Sequence, residues 1–321
     1  MTPPIDKGPA GGTPAGPAGH DAIPVAAGPV PIKAIPVRHY GRWISAVIVL
    51  AVVGLIGLAF SDAKVNWDVT FDYLDDDLIL KGAWNTVKIT VLSMLLGLAL
   101  GTLAAVMRVS RNPVMQTVSW FYIWFFRGTP VYVQLVIWYN LALIFPNFNV
   151  GFYEEPMVTF MTPFLAALLG LGINQGAYMA EIIRAGIQSV DEGQTEASHA
   201  LGMSRAKTMQ RVVLPQAMRV IIPPTGNQFI DLLKTSSLVS AVQYSELFFN
   251  QGVRSQDSLA TAELLFTASI WYLALTTVFS IGQYYLERHY AKGSQRSLPA
   301  TPFQRVRQLV FSLRRSEVPR S

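Results

Sequence analysis

The residues with chemistry to offer are polar groups set inside apolar stretches. Asn174 and Gln175 stand in an otherwise apolar, uncharged run, 157–180, with Tyr178 near its end and Glu181 and Arg184 just beyond it. Amides in such a run are costly to leave unsatisfied and face a helix-bundle interior, where they hold a solute's carboxylate or amine, or equally bond a neighbouring helix. Glu181 and Arg184 are three apart and so share a helical face, as an ion pair would. Asn227, Asp231 and Lys234 follow Pro223 and Pro224, a pattern that suits a translocation path because irregular backbone at membrane depth lines water or protein.

Other chemistry is excluded. The chain has no cysteine, and its four histidines (His20, His39, His199 and His289) are scattered, so neither a thiolate nucleophile nor a metal cluster is expected. No G-x-x-x-x-G-K-[ST] phosphate loop occurs, so the chain does not cradle ATP itself, and no cofactor is expected. Gly170, Gly172 and Gly176 lie inside an apolar run and read as helix-packing contacts rather than a nucleotide loop.

The elements that must position these groups are membrane helices. A mean hydropathy of +0.34 with only 14% charged residues leaves more apolar surface than a soluble core hides, and about 20 apolar residues cross a bilayer as a helix. The net charge of +5 then records topology rather than nucleic-acid binding, since Lys and Arg are retained on the cytoplasmic side. Residues 1–40, rich in Pro, Gly and Ala, read as a disordered cytoplasmic tail. About six spans are expected: 43–60, 83–107, 113–145, 157–180, 217–233 and 261–285. The third, too long for one perpendicular crossing, should break at Gly128-Thr129-Pro130, and the fifth at Pro223-Pro224. Carboxylates after the first span and at Glu154 and Glu155 mark the outside. Arg108, Arg111 and the basic tail 291–321 mark the cytoplasm, which also receives both termini.

A polar block, 189–215, separates the fourth and fifth spans. Its spacing predicts a helix over 195–203, capped by Asp191 or Ser189 and closed near Gly202. Glu196-Ala197-Ser198, Gly202, Val212 and Leu214-Pro215 match, at every spacing, the "EAA" motif of permease subunits of bacterial ATP-binding-cassette importers. Ser198 and Val212 depart from the family's Ala and Ile but keep small size and branched apolar character. Phe125 to Pro130 with Gln134-Leu135, and Gly176-Ala177-Tyr178 with Glu181 to Arg184, resemble the subfamily that imports polar amino acids (histidine, glutamine and arginine).

The resemblance covers about 83–290. It implies an all-α integral membrane protein with the ABC importer (MetI-like) permease fold, a five-helix core plus one N-terminal helix, in the bacterial cytoplasmic (inner) membrane. It implies that the 189–215 loop, through Gly193, Glu196, Ala197, Gly202, Leu214 and Pro215, docks on ATP-binding cassette ATPase subunits. A soluble amino-acid-binding protein outside and a permease homo- or heterodimer complete the expected assembly, with a polar amino acid as substrate and membrane lipid around it. Asn174, Gln175, Tyr178, Glu181 and Asn227 are the expected substrate path. Two rival readings are an ion-gradient-driven secondary transporter, for which no convincing inverted repeat is seen, and a membrane receptor or scaffold without transport.

Overall fold

The computed structural model describes residues 40–61 and 65–290. The tails expected at 1–40 and 291–321 lie outside them but for Tyr40, which opens α1 (Tyr40–Ser61). That helix belongs to a unit of its own, and its described apolar side chains are exposed, Leu50 at 69%. Branched and aliphatic residues on every face leave it no polar side to turn toward water, as a lipid-facing helix requires.

A second unit starts at Lys64. It opens with α2 (Trp67–Asp72) and continues through α3 (Asp77–Arg108), α4 (Pro113–Gly128) and α5 (Val131–Tyr139). A short antiparallel hairpin, β1 (Asn147–Asn149) with β2 (Glu154–Pro156), leads to α6 (Met157–Phe160) and α7 (Pro163–Gln188). Then come α8 (Glu192–Ala200), α9 (Arg205–Thr208), a π turn (Met209–Val213), α10 (Leu214–Thr235), α11 (Leu247–Ser258) and α12 (Thr261–Tyr290). The starts follow sequence signals: Asp76 accepts from the Leu78 and Ile79 amides, while Asn112 and Thr162 cap α4 and α7, each followed by a proline whose missing N–H is not needed there.

Among the described residues, α1, α3 and α12 are long and apolar enough to cross a membrane on length and composition alone. The other expected spans correspond to α4 with α5, to α7 and to α10, which fall short of that measure because they carry the polar residues and breaks described above. The third span divides at Thr129 and Pro130, which lie between α4 and α5. The fifth does not break: α10 runs through Pro223 and Pro224 as one helix. The two proline rings remove the donors of Arg219 O and Val220 O without ending the helix, as membrane helices packed against neighbours tolerate. Gln283 Nε2 from α12 donates to Pro223 O at 3.3 Å, and the Thr225 hydroxyl donates to Ile221 O at 2.7 Å.

The core of this unit is the seam between α3 and α7, closed over by Leu232 from α10 and Val239 and Val242 beyond it. Gly97 and Gly101 on α3 face Gln175 and Met179 on α7, while Gly172 on α7 faces Leu96. With no hydrophobic drive between helices in lipid, such close approach is the main source of attraction. A Cβ at Gly101 would stand 2.5 Å from Met179 Cβ, both on helical backbone. Gly101→Leu should therefore split the seam, at a cost of about 3 kcal/mol or more. A fall in the thermal midpoint of the purified protein measures it, and an unchanged midpoint would mean the helices are not held this closely.

Opposite the α8 end, 236–258 form a compact cap. A 3-10 stretch (Ser236–Val242) leads through left-handed Gln243 (φ 59°) into α11, whose first amides are capped by the buried carboxylate of Glu246. Glu246 accepts from the amides of Phe248 (2.9 Å) and Phe249 (2.7 Å), from the Tyr272 hydroxyl (2.7 Å) and from the Thr86 hydroxyl (3.3 Å). Asn250 Nδ2 donates to Leu78 O, and Arg254 pairs with Asp76 at 2.5 Å. Helices α3, α11 and α12 are thus tied together by side chains far apart in sequence.

Candidate translocation cavity and coupling segment

A cavity of about 460 Å³ opens beside the α4–α5 break, lined by Arg127, Thr129 and Pro130, by Asn174, Gln175 and Tyr178 of α7, and by Gln228, Asp231 and Thr235 of α10. The break is held open by one buried amide. Gln134 Nε2 donates to Phe126 O (3.0 Å), Thr129 O (3.1 Å) and Thr129 Oγ1 (2.7 Å), so carbonyls released where the helix stops regain a donor. Asn174 Nδ2 joins the same cluster, donating to Phe126 O at 2.7 Å and Gln134 Oε1 at 3.2 Å. Gln175 Nε2 donates to Gln228 Oε1 at 3.3 Å, linking α7 to α10. The Arg127 guanidinium sits 5.2 Å from the Tyr178 ring centroid, a cation–π contact that keeps the charge at the wall without neutralising it. Asp231 supplies a carboxylate, paired with Lys234 at 2.8 Å in a setting more than half exposed. The cavity thus offers a cation, an anion and amides between them.

The segment after α7 has a different character. Asp191 caps α8, its Oδ1 accepting from Gly193 N at 2.8 Å. The helix therefore begins at Glu192, three residues before the expected 195, and ends at Ala200. Gly202 takes a left-handed conformation, φ +77°. Its amide donates to His199 O (2.9 Å) and that of Met203 to Ser198 O (3.1 Å), the paired bonds of a Schellman ending. Glu196 and Ala197 are exposed, as is Leu201 at 83%. The π turn then carries the chain into α10, where Leu214 and Pro215 occupy the first turn, a place where proline's lost donor does no harm.

A sequence family described as "Binding-protein-dependent transport system inner membrane component" matches residues 97–292. The chain belongs to this family. Related proteins agree: it is 50% identical over 275 residues, 85% of this chain and 87% of the other, to the arginine transport system permease protein ArgU of Corynebacterium glutamicum. It is 38% identical over 210 residues (64% and 84%) to the L-cystine transport system permease protein TcyB of Bacillus subtilis. A solved amino acid ABC transporter with histidines superposes with a TM-score of 0.61 at 34% identity, covering 71% of this chain and all of that one. The MetNI methionine transporter, at 20% identity and a TM-score of 0.55, shares the fold. This permease subunit is a multi-pass inner-membrane transport component rather than an enzyme; ATP hydrolysis belongs to a separate subunit, and a substrate-binding partner serves it. The secondary-transporter and scaffold readings fall with this membership.

Of the residues singled out in the permease sequence, the cavity gathers Asn174, Gln175 and Tyr178. Glu181 is not in its lining; it pairs with Arg184 at 2.5 Å. Asn227 turns away as well, its Oδ1 accepting from Gln283 of α12 at 2.8 Å, and Gln228 takes the place expected for it. Arg127 and Asp231, which the sequence places 104 residues apart (231 − 127), were not expected to share a wall. The signal available was that each is a charge inside a hydrophobic run, the ordinary mark of a polar pathway.

Proposed function

We propose that residues 83–290 form the path by which a polar amino acid crosses the membrane, with the 460 Å³ cavity as its polar waypoint. The observation that carries this reading is the presence of Arg127 and Asp231, a cation and an anion, in the lining of one cavity. A zwitterion brings a carboxylate and an ammonium, each needing a charged or amide partner once water is left behind. The names of the arginine and cystine permeases among its relatives support an amino-acid substrate, and arginine is the first to test. The 189–215 segment, through Gly193, Glu196, Ala197, Gly202, Leu214 and Pro215, is read as the docking element for the ATPase. Its exposed Glu196, Ala197 and Leu201 support that. It lies at the end of the bundle shared with Arg108 and Arg111, so the positive-inside rule puts it in the cytoplasm together with the terminus beyond Arg288. With α1 crossing once more, the N-terminus falls on that side too.

The permease works as a dimer with itself or a related permease. Exposed aromatics on α4, where Trp120 stacks on Trp124 at 5.9 Å, suit a partner helix or lipid. In vesicles holding the assembled transporter, Asp231→Asn should raise the KM for amino-acid uptake about tenfold, worth about 1.4 kcal/mol of lost binding. Asn227→Leu, on the α12 side, should alter stability and leave substrate preference alone. Unchanged KM in the first variant, or changed preference in the second, would move the path elsewhere.

A further inference from the structure

A second cavity, of about 560 Å³, lies behind the coupling segment and plays no part in the reading above. One side of α8 lines it, through Glu192, Thr195 and His199 at helical spacing; Gly193, Glu196 and Ala197, the α8 residues assigned to docking, are not in the lining. Facing them are Arg111 from the α3–α4 connection and Arg205 from the start of α9. Among the described residues neither guanidinium forms an ion pair. The wall also contains Thr208, 2% exposed, whose hydroxyl has no hydrogen-bond partner. A hydroxyl in a helix ordinarily donates to the carbonyl four residues back, as Thr225, Thr102 and Thr117 do in this chain. At Thr208 that bond is missing, and a buried donor left unmatched is destabilising.

Two guanidiniums, one unmatched hydroxyl and a single opposing carboxylate fit an anion with several acceptor oxygens. A phosphate group is that anion: guanidinium forks meet its oxygens in pairs, and the hydroxyl supplies a further donor. The imidazole of His199 is turned so that Nδ1 donates to Met203 O at 3.1 Å, since a carbonyl only accepts. Nε2 is then left for other contacts.

We propose that this cavity binds a phosphate group and that occupancy pins α8 and α9 against the end of α7. Two sources share the chemistry: the headgroup of an anionic phospholipid, drawn to basic pockets at the ends of membrane helices, and a soluble phosphate.

The test uses the permease assembled with its ATPase subunits in nanodiscs of neutral phosphatidylcholine, following thermal unfolding. One arm replaces part of the lipid with phosphatidylglycerol; the other titrates inorganic phosphate in neutral lipid. A wild-type midpoint that rises in the first arm alone assigns a headgroup, and one that rises in the second assigns a soluble ligand. In either case Arg111→Gln with Arg205→Gln should remove the rise. Thr208→Val, close to isosteric, should raise the midpoint in neutral lipid by removing the unmatched hydroxyl, and should shift the half-maximal concentration of the active anion about tenfold upward. A wild type that responds to neither anion, a response retained by the double arginine variant, or a Thr208→Val midpoint that falls in neutral lipid would each overturn the proposal. Because Thr208→Val keeps the side chain's shape, the question stays answerable even where the arginine variant fails to assemble. Phosphate binding by the ATPase subunits is common to wild type and variants and cancels in the comparison.

Discussion

Glu246→Leu is expected to leave little folded permease, with a loss on the order of 4 kcal/mol. The carboxylate accepts from two backbone amides at the start of α11 and from the hydroxyls of Tyr272 and Thr86. Leucine satisfies none of the four, and each buried donor left unmatched costs about 1–3 kcal/mol, part of it recovered as the site relaxes. The helix cap is lost in the same stroke. Size-exclusion profiles and the thermal midpoint of the solubilised complex measure the effect; a monodisperse variant with a wild-type midpoint would show that α11 is held by packing alone. The site also makes a pH prediction. Burial pushes the Glu246 carboxyl up to about 7 from 4.5, against the pull of its four donors. A folded-state value above the unfolded one means the folded state binds more protons in between, so this group's contribution is full below about pH 4.5 and is lost as pH rises through 7. Glu246→Gln should flatten that part of the stability profile.

Gly202→Val should give a permease that inserts and accumulates but does not transport. At φ +77° the residue has open space around a would-be Cβ, so the penalty is one of backbone conformation rather than of collision within the chain. Outside glycine, and to a lesser degree asparagine, that conformation costs about 1–2 kcal/mol, more for a β-branched residue. The Schellman bonds at His199 O and Ser198 O would open, and Leu201 and Glu196 would lose their fixed presentation. Uptake and binding-protein-stimulated ATP hydrolysis are expected to drop more than tenfold. Gly202→Asn should keep a large share of both because asparagine visits the left-handed region. Equal loss in both variants would point to steric exclusion at a partner surface instead; equal retention would remove Gly202 from the coupling element.

The parts of this permease that were legible in its sequence are those governed by local rules. Gly128 to Pro130 announce a break, and Asp191 and Gly202 the two ends of α8, because caps, prolines and left-handed glycines act within a turn of themselves. Pro223 and Pro224 misled for the complementary reason. Whether a proline pair breaks a helix depends on what packs beside it, and here α12 lies along α10, with Gln283, sixty residues on, reaching Pro223 O. The cap around α11 was invisible: Glu246, Thr86, Tyr272 and Asn250 are ordinary residues until the fold brings them together. The cavity was half visible. Asn174 and Gln175 stood out as amides in an apolar run, whereas Asn227 and Gln228 are adjacent polar residues of one helix, and only the rotation of α10 about its axis decides which of them meets the cavity.

The glycine seam between α3 and α7 constrains how access to the path can change. Backbones this close, with Gln175 and Met179 lodged over Gly97 and Gly101, cannot slide by fractions of a residue without collision, and close-packed interfaces switch between discrete arrangements rather than stretch. Helices α3 and α7 therefore behave as one beam. One joint lies where the ladder of backbone hydrogen bonds is interrupted, at Thr129-Pro130, and the other where it widens, at the π turn 209–213. The first stands beside Asn174, midway along α7, and the second follows α8; on the docking proposed above, a push received at α8 would reach α10 through the π turn, while α4 and α5 fold or unfold about Pro130 beside a seam that stays closed.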